Sequence, residues 1–218
     1  MNLPSRHASE LDAELPLQEL PNGQEWLGDI AYIDRDGVLN IGRKEYVNNP
    51  TELVLLEGAG YAVSKLRKAG FRICVVTNQS PIGRGLWGHA ELAAIHDELI
   101  RQLQEEDENG ILDLILYAPQ TPWEGGPTRK PGAGMLQVGR QLLEGNWSSE
   151  GLLTGPKYHL WAGKKDETPR SFMAGDRAVD LQAGRRHAVR LFNINPAVGL
   201  AGAVERMLDA DDSGDELA

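Results

Sequence analysis

The sequence predicts an α/β protein, a three-layer fold in which a doubly wound parallel sheet lies between helices on both faces. Strand-like and helix-like segments alternate along most of the 218 residues, which favours parallel strands joined by helical crossovers. Residues 71–76 are apolar apart from Arg72, as in a strand that is buried on both faces. Polar side chains follow several of these strands, and binding sites in such folds lie at the carboxyl ends of the strands.

The individual elements follow from apolar periodicity and from residues that end helices and strands. The predicted strands are 29–33, 71–76, 111–117, 171–174 and 188–192. The predicted helices are 57–69, 89–106, 134–143, 181–186 and 198–208. In the longest helix, Leu92, Ile95 and Leu99 are spaced to form one apolar stripe. We expect that stripe to face the sheet.

Composition divides the chain into three parts. Residues 1–27 contain three prolines and no clear period, so we expect an N-terminal extension that is wrapped on the domain or partly disordered. Residues 28–208 form the predicted α/β domain, which contains an insertion at 145–170. Residues 209–218 are rich in Asp and Glu and predict a disordered tail.

Charge and cysteine content limit the kinds of partner that the chain is expected to have. The formal net charge is −10 at pH 7, which disfavours a general nucleic-acid or membrane-surface binder. Cys74 is the one cysteine and lies in an apolar run, as is typical of a buried core residue in a reducing compartment. With no membrane span and no signal-peptide profile in this sequence, we expect a cytoplasmic protein.

The most informative motif is Asp34-Arg35-Asp36-Gly37, at the end of the first predicted strand. Residues i and i+2 of a strand face the same way, and Gly37 permits a sharp turn after them. Two such carboxylates can hold a hard cation such as Mg²⁺, or they can divide nucleophilic and acid–base roles. A solvated turn is the alternative interpretation of the motif.

Groups that suit phosphate oxygens follow two further strands. Thr77, Asn78 and Gln79 come directly after one strand and offer hydroxyl and amide donors. Arg129 and Lys130 follow the loop after the next strand, and both side chains can bind phosphate. Taken separately, these patterns are also typical of a polar turn and of a solvated surface pair.

A third carboxylate, Asp176, follows the strand at 171–174. At that sheet edge it can complete a Mg²⁺ site with the first pair, although it can also be a helix N-cap. Asp180 lies four residues further on, and Arg177 lies between the two carboxylates. Suggestive groups thus follow four strands of one predicted sheet.

Together these motifs resemble the haloacid dehalogenase (HAD) superfamily of phosphatases. They are most similar to the branch that holds the D-glycero-D-manno-heptose 1,7-bisphosphate phosphatases and the histidinol-phosphate phosphatases. The resemblance covers residues 30–192, and it rests on the sequences DRDG at 34–37, VTNQS at 76–80, RKP at 129–131, GM at 134–135 and GD at 175–176. It implies a HAD-like phosphatase domain, and the short gaps between these motifs leave no room for a separate cap domain.

The resemblance also implies a role for each site residue. Asp34 attacks phosphorus, Asp36 transfers the proton, and Mg²⁺ binds Asp34, the backbone carbonyl of Asp36, and Asp176. The residues implied to hold the phosphoryl group are Thr77, Asn78 and Lys130. Asp180 is implied to orient Lys130 or a metal-bound water, and Arg177, where relatives often have Lys, is implied to support the site. Arg129 is implied to contact the substrate at a second anionic group. Asn40 and Gln79 are further candidates for contact with the substrate.

The chain departs from its relatives most clearly in two segments. Relatives carry a zinc-binding loop before Arg-Lys-Pro, whereas residues 117–128 contain no Cys and no His, so we expect no zinc. Trp123 in that loop can serve as a packing anchor or as a substrate contact. The insertion at 145–170 carries aromatic and basic residues, which can bind a ligand or a protein partner or can cover the core.

These patterns lead to one main functional hypothesis and three alternatives. The main hypothesis is a Mg²⁺-dependent phosphomonoesterase of carbohydrate metabolism that acts on a small phosphorylated metabolite, such as a sugar phosphate or bisphosphate, through an aspartyl-phosphate. A histidinol-phosphate phosphatase and a nucleic-acid 3′-phosphatase are alternatives of the same class, although the acidic net charge disfavours a nucleic-acid partner. A non-catalytic binding or regulatory protein on the HAD scaffold is the alternative of another class.

Overall fold

The strands of the protein form one mixed sheet, in a computed structural model that describes residues 3–145 and 168–216. They are β1 Ser5–Arg6, β2 Ile30–Ile33, β3 Arg72–Asn78, β4 Leu114–Ala118, β5 Phe172–Gly175 and β6 Arg190–Asn193. Within those residues the strand order is β1-β4-β3-β2-β5-β6. All neighbours are parallel except β1, which runs antiparallel to β4. The predicted α/β class is confirmed.

Helices cover both faces of this sheet. They are α1 Ala59–Lys68, α2 Ser80–Gly83, α3 His89–Glu106, α4 Gly134–Leu143, α5 Ala178–His187 and α6 Val204–Leu208. One buried cluster joins the sheet to α1, α3 and α6, and it includes Leu66, Leu99 and Met207. A second buried cluster joins the opposite face to α4 and α5, and it includes Val138 and Leu181. The sheet is therefore the middle layer of three, as predicted.

The strand order places the chemistry at the centre of the sheet. β2, which leads into Asp34, pairs with β3 on one side and with β5 on the other. Because all three strands are parallel, Asp34, Thr77 and Asp176 leave the sheet at the same edge. In the described part of the chain, the segments from β2 to β3 and from β3 to β4 consist of loops and of α1, α2 and α3, so a separate cap domain does not interrupt them there.

Several element boundaries differ from those predicted, and two of the differences have a clear physical reason. β4 begins at Leu114 rather than at 111, because the Asp113 carboxylate accepts a hydrogen bond of 2.8 Å from the Ile73 backbone N–H. The predicted helix at 198–208 is divided into the 3₁₀ turn Leu200–Gly202 and α6. Glycine disfavours a continuous helix, and Gly202 lies at the break.

The N-terminal extension packs on the domain. Strand β1 adds to the edge of the sheet, and Leu11, Leu15 and Trp26 pack against the second cluster. The Arg67 guanidinium donates to the Glu19 carbonyl at 2.9 Å, which ties residues near 20 to α1. The extension therefore closes one edge of the sheet, while the predicted domain boundaries themselves stay a prediction.

The C-terminal residues make contacts that the sequence did not predict. The Asp215 backbone N–H donates to the Leu191 carbonyl at 2.7 Å, and the Arg190 guanidinium donates to the carbonyls of Asp209 and Asp212 at 2.9 Å each. These bonds lay residues 209–215 along β6. Most of the 145–170 insertion, including Trp147, lies outside the described residues. None of the described helices combines the length and apolar character needed to span a bilayer.

Candidate active site

Asp34 is held at the end of β2 by its own backbone and by a buried lysine. Its backbone N–H donates to the Ala174 carbonyl at 2.9 Å, which fixes it against β5. Its Oδ1 accepts from the Arg35 backbone N–H at 2.8 Å and lies 2.8 Å from Lys130 Nζ. Burial raises the pKa of Asp34 to about 6, although the neighbouring Lys130 ammonium opposes that shift. The side chain is therefore a confined carboxylate that faces one positive charge.

Asp36, two residues further on, has the opposite electrostatic character. The Arg35 guanidinium donates to both Asp36 oxygens at 3.0 and 2.8 Å, and the Asn40 and Gln79 amides donate at 3.0 and 3.3 Å. Burial acts to raise the pKa of Asp36, but Arg35 and the two amides outweigh it and hold that pKa below its ordinary value. Asp36 is thus an ionised carboxylate in this arrangement.

Lys130 connects three strands at the site. Its ammonium donates to the Val76 carbonyl at 2.7 Å and pairs with Asp34 Oδ1 at 2.8 Å and with Asp180 Oδ1 at 2.6 Å. The Asn78 side chain accepts from the Lys130 backbone N–H and donates to its carbonyl, both at 3.0 Å. The two carboxylates raise the pKa of Lys130 against the opposing effect of burial. A charged ammonium is thereby fixed beside Asp34.

Three carboxylates converge where a cation can be held. Asp34, Asp176 and Asp180 each place one oxygen within 4.8 Å of the others. Asp180 is bonded to Lys130 and accepts from the Arg177 backbone N–H at 3.0 Å, whereas Asp176 Oδ1 is buried and has no hydrogen-bond partner. Oxygen ligands of this kind suit a hard divalent cation. The unpaired oxygen of Asp176 is the observation that fits a metal here.

Gly37 makes room for Asp176. Its φ is +81°, and a Cβ at this position would lie 2.4 Å from Asp176 Oδ2. A side chain would therefore be strained in its backbone and would displace the carboxylate. Burial and the nearby Asp34 charge both raise the pKa of Asp176, and the positive charges of Arg177 and Lys130 offset only part of that shift. The DRDG turn and Asp176 form one unit.

The predicted residues share a small cavity of 50 Å³ at this edge of the sheet. Its lining consists of Asp34, Asp36, Thr77, Asn78, Lys130, Arg177, Val179 and Asp180. Thr77 is 1% exposed, and its hydroxyl accepts a hydrogen bond from the Gln79 amide at 2.9 Å. Residues that follow four different strands thus meet at one point.

A larger cavity of 640 Å³ lies beside the small one. We call it the arginine pocket, after Arg84, Arg129 and Arg177, which line it together with Asp36 and Asp176. Arg129 is fixed by a 2.8 Å bond from its guanidinium to the Gln120 carbonyl. Burial lowers the pKa of Arg129, and the positive charges of Arg177 and Arg84 lower it further. The arginine pocket therefore concentrates positive charge next to the carboxylates.

Three of the predicted polar contacts have a different partner from the one expected. The Asn40 and Gln79 amides bind Asp36, and the Asn78 side chain binds the Lys130 backbone. Asn40 and Gln79 are only 0% and 2% exposed, so they hold Asp36 from the buried side of the site. Contact of any of the three with a substrate stays a prediction.

Sequence reasoning missed two residues of this region. Arg35 is 1% exposed and forms a salt bridge with Asp36. A charged residue at the end of an apolar strand is the sequence feature that could have indicated its role. Tyr46 lines the arginine pocket and has a φ of 66°, a conformation that non-glycine residues seldom adopt. Such strain is more common at functional sites, but the sequence around Tyr46 carries no sign of it.

The loop before Arg129 is held by hydrogen bonds among its described residues. The Thr121 backbone N–H and hydroxyl donate to Glu124 Oε2 at 2.7 and 2.6 Å. Trp123 is 71% exposed, and the Arg84 guanidinium lies 4.8 Å from its ring centroid. Trp123 therefore contacts an arginine of the pocket rather than the core. The predicted lack of zinc at this loop stays a prediction.

Comparison with known proteins shows that the chain is similar to heptose bisphosphate phosphatases. The chain is 36% identical over 165 residues to the D-glycero-β-D-manno-heptose-1,7-bisphosphate 7-phosphatase of Haemophilus ducreyi, a match that covers 73% of this chain and 78% of that one. The enzyme of the same name from Pseudomonas aeruginosa is 39% identical over 119 residues, 53% of this chain and 66% of its own length. Its Bordetella bronchiseptica counterpart is matched over 58% of its length. No family model matches the chain.

Solved structures agree with that comparison. The D,D-heptose 1,7-bisphosphate phosphatase of B. bronchiseptica, complexed with magnesium and phosphate, superposes with a TM-score of 0.62 at 27% identity and covers 80% of this chain and 86% of that one. A protein from Mesorhizobium loti assigned to the HAD-like phosphatases gives a TM-score of 0.61 at 25% identity, over 92% and 95% of the two chains. The fold and the arrangement of strands are thus shared with this group.

Proposed function

Because this chain belongs to the D-glycero-D-manno-heptose-1,7-bisphosphate 7-phosphatase family of the HAD superfamily, we propose that it hydrolyses a phosphate monoester of a sugar bisphosphate. The observation that carries the proposal is the buried Asp34 carboxylate, which is paired with Lys130 and lies beside the unpaired oxygen of Asp176. This arrangement supplies a nucleophile, a fixed positive charge for the phosphoryl group and an oxygen ligand for a cation.

The reaction proceeds in two steps. In the first, Asp36 carries a proton that it has taken from solvent as the substrate binds; Asp34 attacks phosphorus, the bond from phosphorus to the sugar oxygen breaks, and Asp36 donates its proton to that oxygen. In the second, Asp36 takes a proton from water, the water oxygen attacks phosphorus, and the bond from phosphorus to Asp34 breaks. Phosphate leaves, Asp36 releases its proton to solvent, and both carboxylates return to their ionised states.

Lys130 and its neighbours hold the phosphoryl group during both steps. The Lys130 ammonium is already oriented by Val76 and Asp180, so it costs little reorganisation when charge develops on the phosphoryl oxygens. The Thr77 hydroxyl lines the same small cavity. Asn78 acts through the backbone of Lys130, as a positioning residue.

A divalent cation fits the carboxylates of this site. Asp34, Asp176 and the backbone carbonyl of Asp36 would hold Mg²⁺, and the unpaired Asp176 oxygen gives the fit its structural basis. When bound, Mg²⁺ reduces the repulsion between the Asp34 carboxylate and the anionic phosphate. Removal of divalent cations with a chelator is therefore expected to abolish turnover.

The proton role requires Asp36 to change its surroundings. As it stands, Arg35 and two amides hold Asp36 ionised, and an ionised carboxylate cannot donate a proton. Substrate binding must therefore turn its side chain away from Arg35 and toward the leaving oxygen, where burial against an anionic ligand raises its pKa. About a third of the Asp36 side chain is already accessible from the cavity (33% exposed).

The arginine pocket favours a substrate with a second anionic group. Arg84, Arg129 and Arg177 line one cavity beside the nucleophile, and guanidinium groups bind phosphate with well-defined geometry. The same pocket disfavours histidinol phosphate, because that substrate carries a positively charged amine, which the arginine side chains repel. A sugar with phosphates at both ends satisfies both the carboxylate site and the arginine pocket.

Phosphate release from a panel of phosphomonoesters tests the proposal. The panel contains heptose 1,7-bisphosphate, its two monophosphates, histidinol phosphate and a 3′-phosphorylated oligonucleotide, each assayed with Mg²⁺ and with chelator. We expect kcat/KM to be about tenfold or more higher for the bisphosphate than for the others, equivalent to about 1.4 kcal/mol, and Asp34→Asn to be inactive. A preference for histidinol phosphate or for the oligonucleotide would contradict the proposed substrate class. Turnover that does not depend on metal, or no turnover at all, would contradict the proposed reaction.

A further inference from the structure

Trp123 is an exposed apolar side chain that contacts Arg84, one of the three arginines of the arginine pocket. It is 71% exposed, yet its ring is covered on one side by the Arg84 guanidinium, at 4.8 Å from the ring centroid. Such a cation–π contact at an exposed site is weak but favourable. The contact joins a loop residue to one of the three cations that define the pocket.

The two segments that carry this pair are tied together by backbone bonds. The Gly83 N–H donates to the Pro119 carbonyl at 3.0 Å, and a Cβ on Gly83 would lie 2.6 Å from that oxygen. Thr121 and Glu124 then close the turn that presents Trp123. The ring and the guanidinium therefore meet because their backbones are fixed, rather than by chance contact of two mobile side chains.

Arg84 needs such a contact because its other neighbours repel it. Arg84 and Arg177 both act electrostatically on Arg129 and lower its pKa, so the three charges lie close together. In the part of the chain that the structure describes, neither Arg84 nor Arg177 forms a salt bridge with a carboxylate. Among the described residues, the side-chain contact that holds the Arg84 guanidinium at the pocket is the one with the Trp123 ring.

We propose that Trp123 is a positioning residue for the second anionic group of the substrate and acts by holding Arg84 at the arginine pocket. The inference rests on the proposed function, because it assigns Trp123 a role in binding the substrate of that reaction. Trp123 itself need not touch the substrate. Its loss frees Arg84 to turn toward solvent, so the substrate loses one guanidinium contact while Asp34 and Lys130 keep their own contacts.

Binding to a protein that cannot turn over tests this directly. In the Asp34→Asn background, calorimetry gives the dissociation constants of heptose 1,7-bisphosphate and of heptose 7-phosphate, and their ratio measures the contribution of the second phosphate. We expect Trp123→Ala to reduce that ratio about two- to fivefold and Trp123→Phe, which keeps a ring, to restore most of it. Leu86→Ala is the matched control, since Leu86 is 59% exposed and close to Arg84 in sequence, and it should leave the ratio unchanged.

A double-mutant cycle shows whether the effect passes through Arg84. If it does, Trp123→Ala causes no further loss in an Arg84→Ala protein, because the contact that Trp123 supports is already gone. Additive losses, an equal loss for both ligands, or a parent protein that does not prefer the bisphosphate would each overturn the inference. The phosphatase proposal is tested by a different measurement, which is turnover by the unmodified protein. Because the ratio of dissociation constants does not depend on turnover, failure of one proposal can be distinguished from failure of the other.

Discussion

At the scale of single residues, Asp34 and Asp36 show how neighbouring carboxylates in one motif acquire different chemistry. Burial raises the pKa of Asp34 to about 6, with Lys130 opposing the shift, whereas Arg35 and two amides overcome burial and hold the pKa of Asp36 low. The sequence predicted the pair and its place at a strand end. It could not predict the shifts, because they depend on how deeply the fold buries Asp34 and on how it turns the Arg35 guanidinium onto Asp36.

The two pKa shifts predict opposite effects of neutralising each carboxylate on stability. A raised pKa in the folded state means that the stability contributed by Asp34 is complete below pH about 4 and is lost as pH rises through about 6. We therefore expect Asp34→Asn to increase the free energy of unfolding of the metal-free protein at pH 7.5 by up to about 3 kcal/mol, and to have little effect at pH 4. Urea denaturation at both pH values measures this.

Asp36→Asn is the matched comparison for that experiment. Its carboxylate has a lowered pKa, so its stabilising contribution is present at neutral pH and is lost as pH falls through that pKa. The variant also leaves the buried Arg35 guanidinium without a counter-charge, so we expect a loss of about 2 kcal/mol at pH 7.5. Equal effects of the two substitutions would contradict the assigned electrostatics.

Gly37 predicts a separate effect on the metal site. Gly37→Ala places a Cβ 2.4 Å from Asp176 Oδ2 at a φ of +81°, so we expect it to weaken Mg²⁺ binding by about tenfold or more as the carboxylate is displaced. Gly23→Ala is the control, because Gly23 has a φ of +64° but open space around its Cβ position. Titration of activity with Mg²⁺ should show a shift for the first variant alone, and unchanged Mg²⁺ dependence in both would argue against the role of Gly37.

At the scale of elements, local patterns predicted the regular helices well, whereas long-range contacts set the remaining boundaries. α3 and α4 begin and end where their periodicity predicted, since one apolar face of each packs on the sheet. Strand β1 was not predicted, because its pairing with β4 joins residues more than a hundred positions apart. Its two residues also carry no alternating pattern.

The start of β4 depends on a buried ion cluster that also fixes the N-terminal extension. Asp113, with a fully buried side chain, pairs with Arg67 at 2.6 Å and with Arg72 at 2.7 Å, and Arg67 in turn holds the Glu19 carbonyl. Removing one member leaves uncompensated buried charge. Removal of a charge from this cluster should therefore destabilise both the sheet and the packing of the N-terminal extension.

Asp113→Asn tests that coupling. We expect it to lower the free energy of unfolding by about 3–5 kcal/mol and to speed proteolysis within residues 1–27. Glu205→Gln, which removes an exposed ion pair with Lys65, should cost about 0–1 kcal/mol and leave proteolysis unchanged. Urea denaturation and limited proteolysis measure the two effects, and a small loss for Asp113→Asn would show that the cluster does not hold the extension.

At the scale of the whole molecule, a basic pocket is set into an acidic protein. The chain has a net charge of −10, so its mean field repels a bisphosphate, and the arginine pocket reverses that field locally. The order of motifs along the chain was enough to predict where the carboxylates and Lys130 meet, because parallel strands bring their ends to one edge. The pocket was only partly foreseen, through Arg129 and Arg177, because Arg84 and Tyr46 reach it from loops whose paths have no sequence period.

Arg177 tests the contribution of the pocket to substrate binding. We expect Arg177→Gln to raise KM for a sugar bisphosphate about tenfold or more, through loss of one charge-assisted contact, with a smaller change in kcat. Arg185→Gln removes the same charge from the exposed surface of α5 and should change KM little. Steady-state kinetics at one ionic strength compares the two, and equal effects would mean that net charge alone controls binding.

Asp34 is the proposed nucleophile in Mg²⁺-dependent hydrolysis of a sugar bisphosphate. Its role is tested most directly by rapid acid quench during turnover of heptose 1,7-bisphosphate, followed by mass spectrometry of the peptide that contains Asp34. We expect a phosphoryl group on Asp34 that appears only with Mg²⁺ and is absent from the inactive Asp34→Asn protein. Turnover that leaves Asp34 unmodified at every quench time, together with an active Asp34→Asn variant, would contradict it.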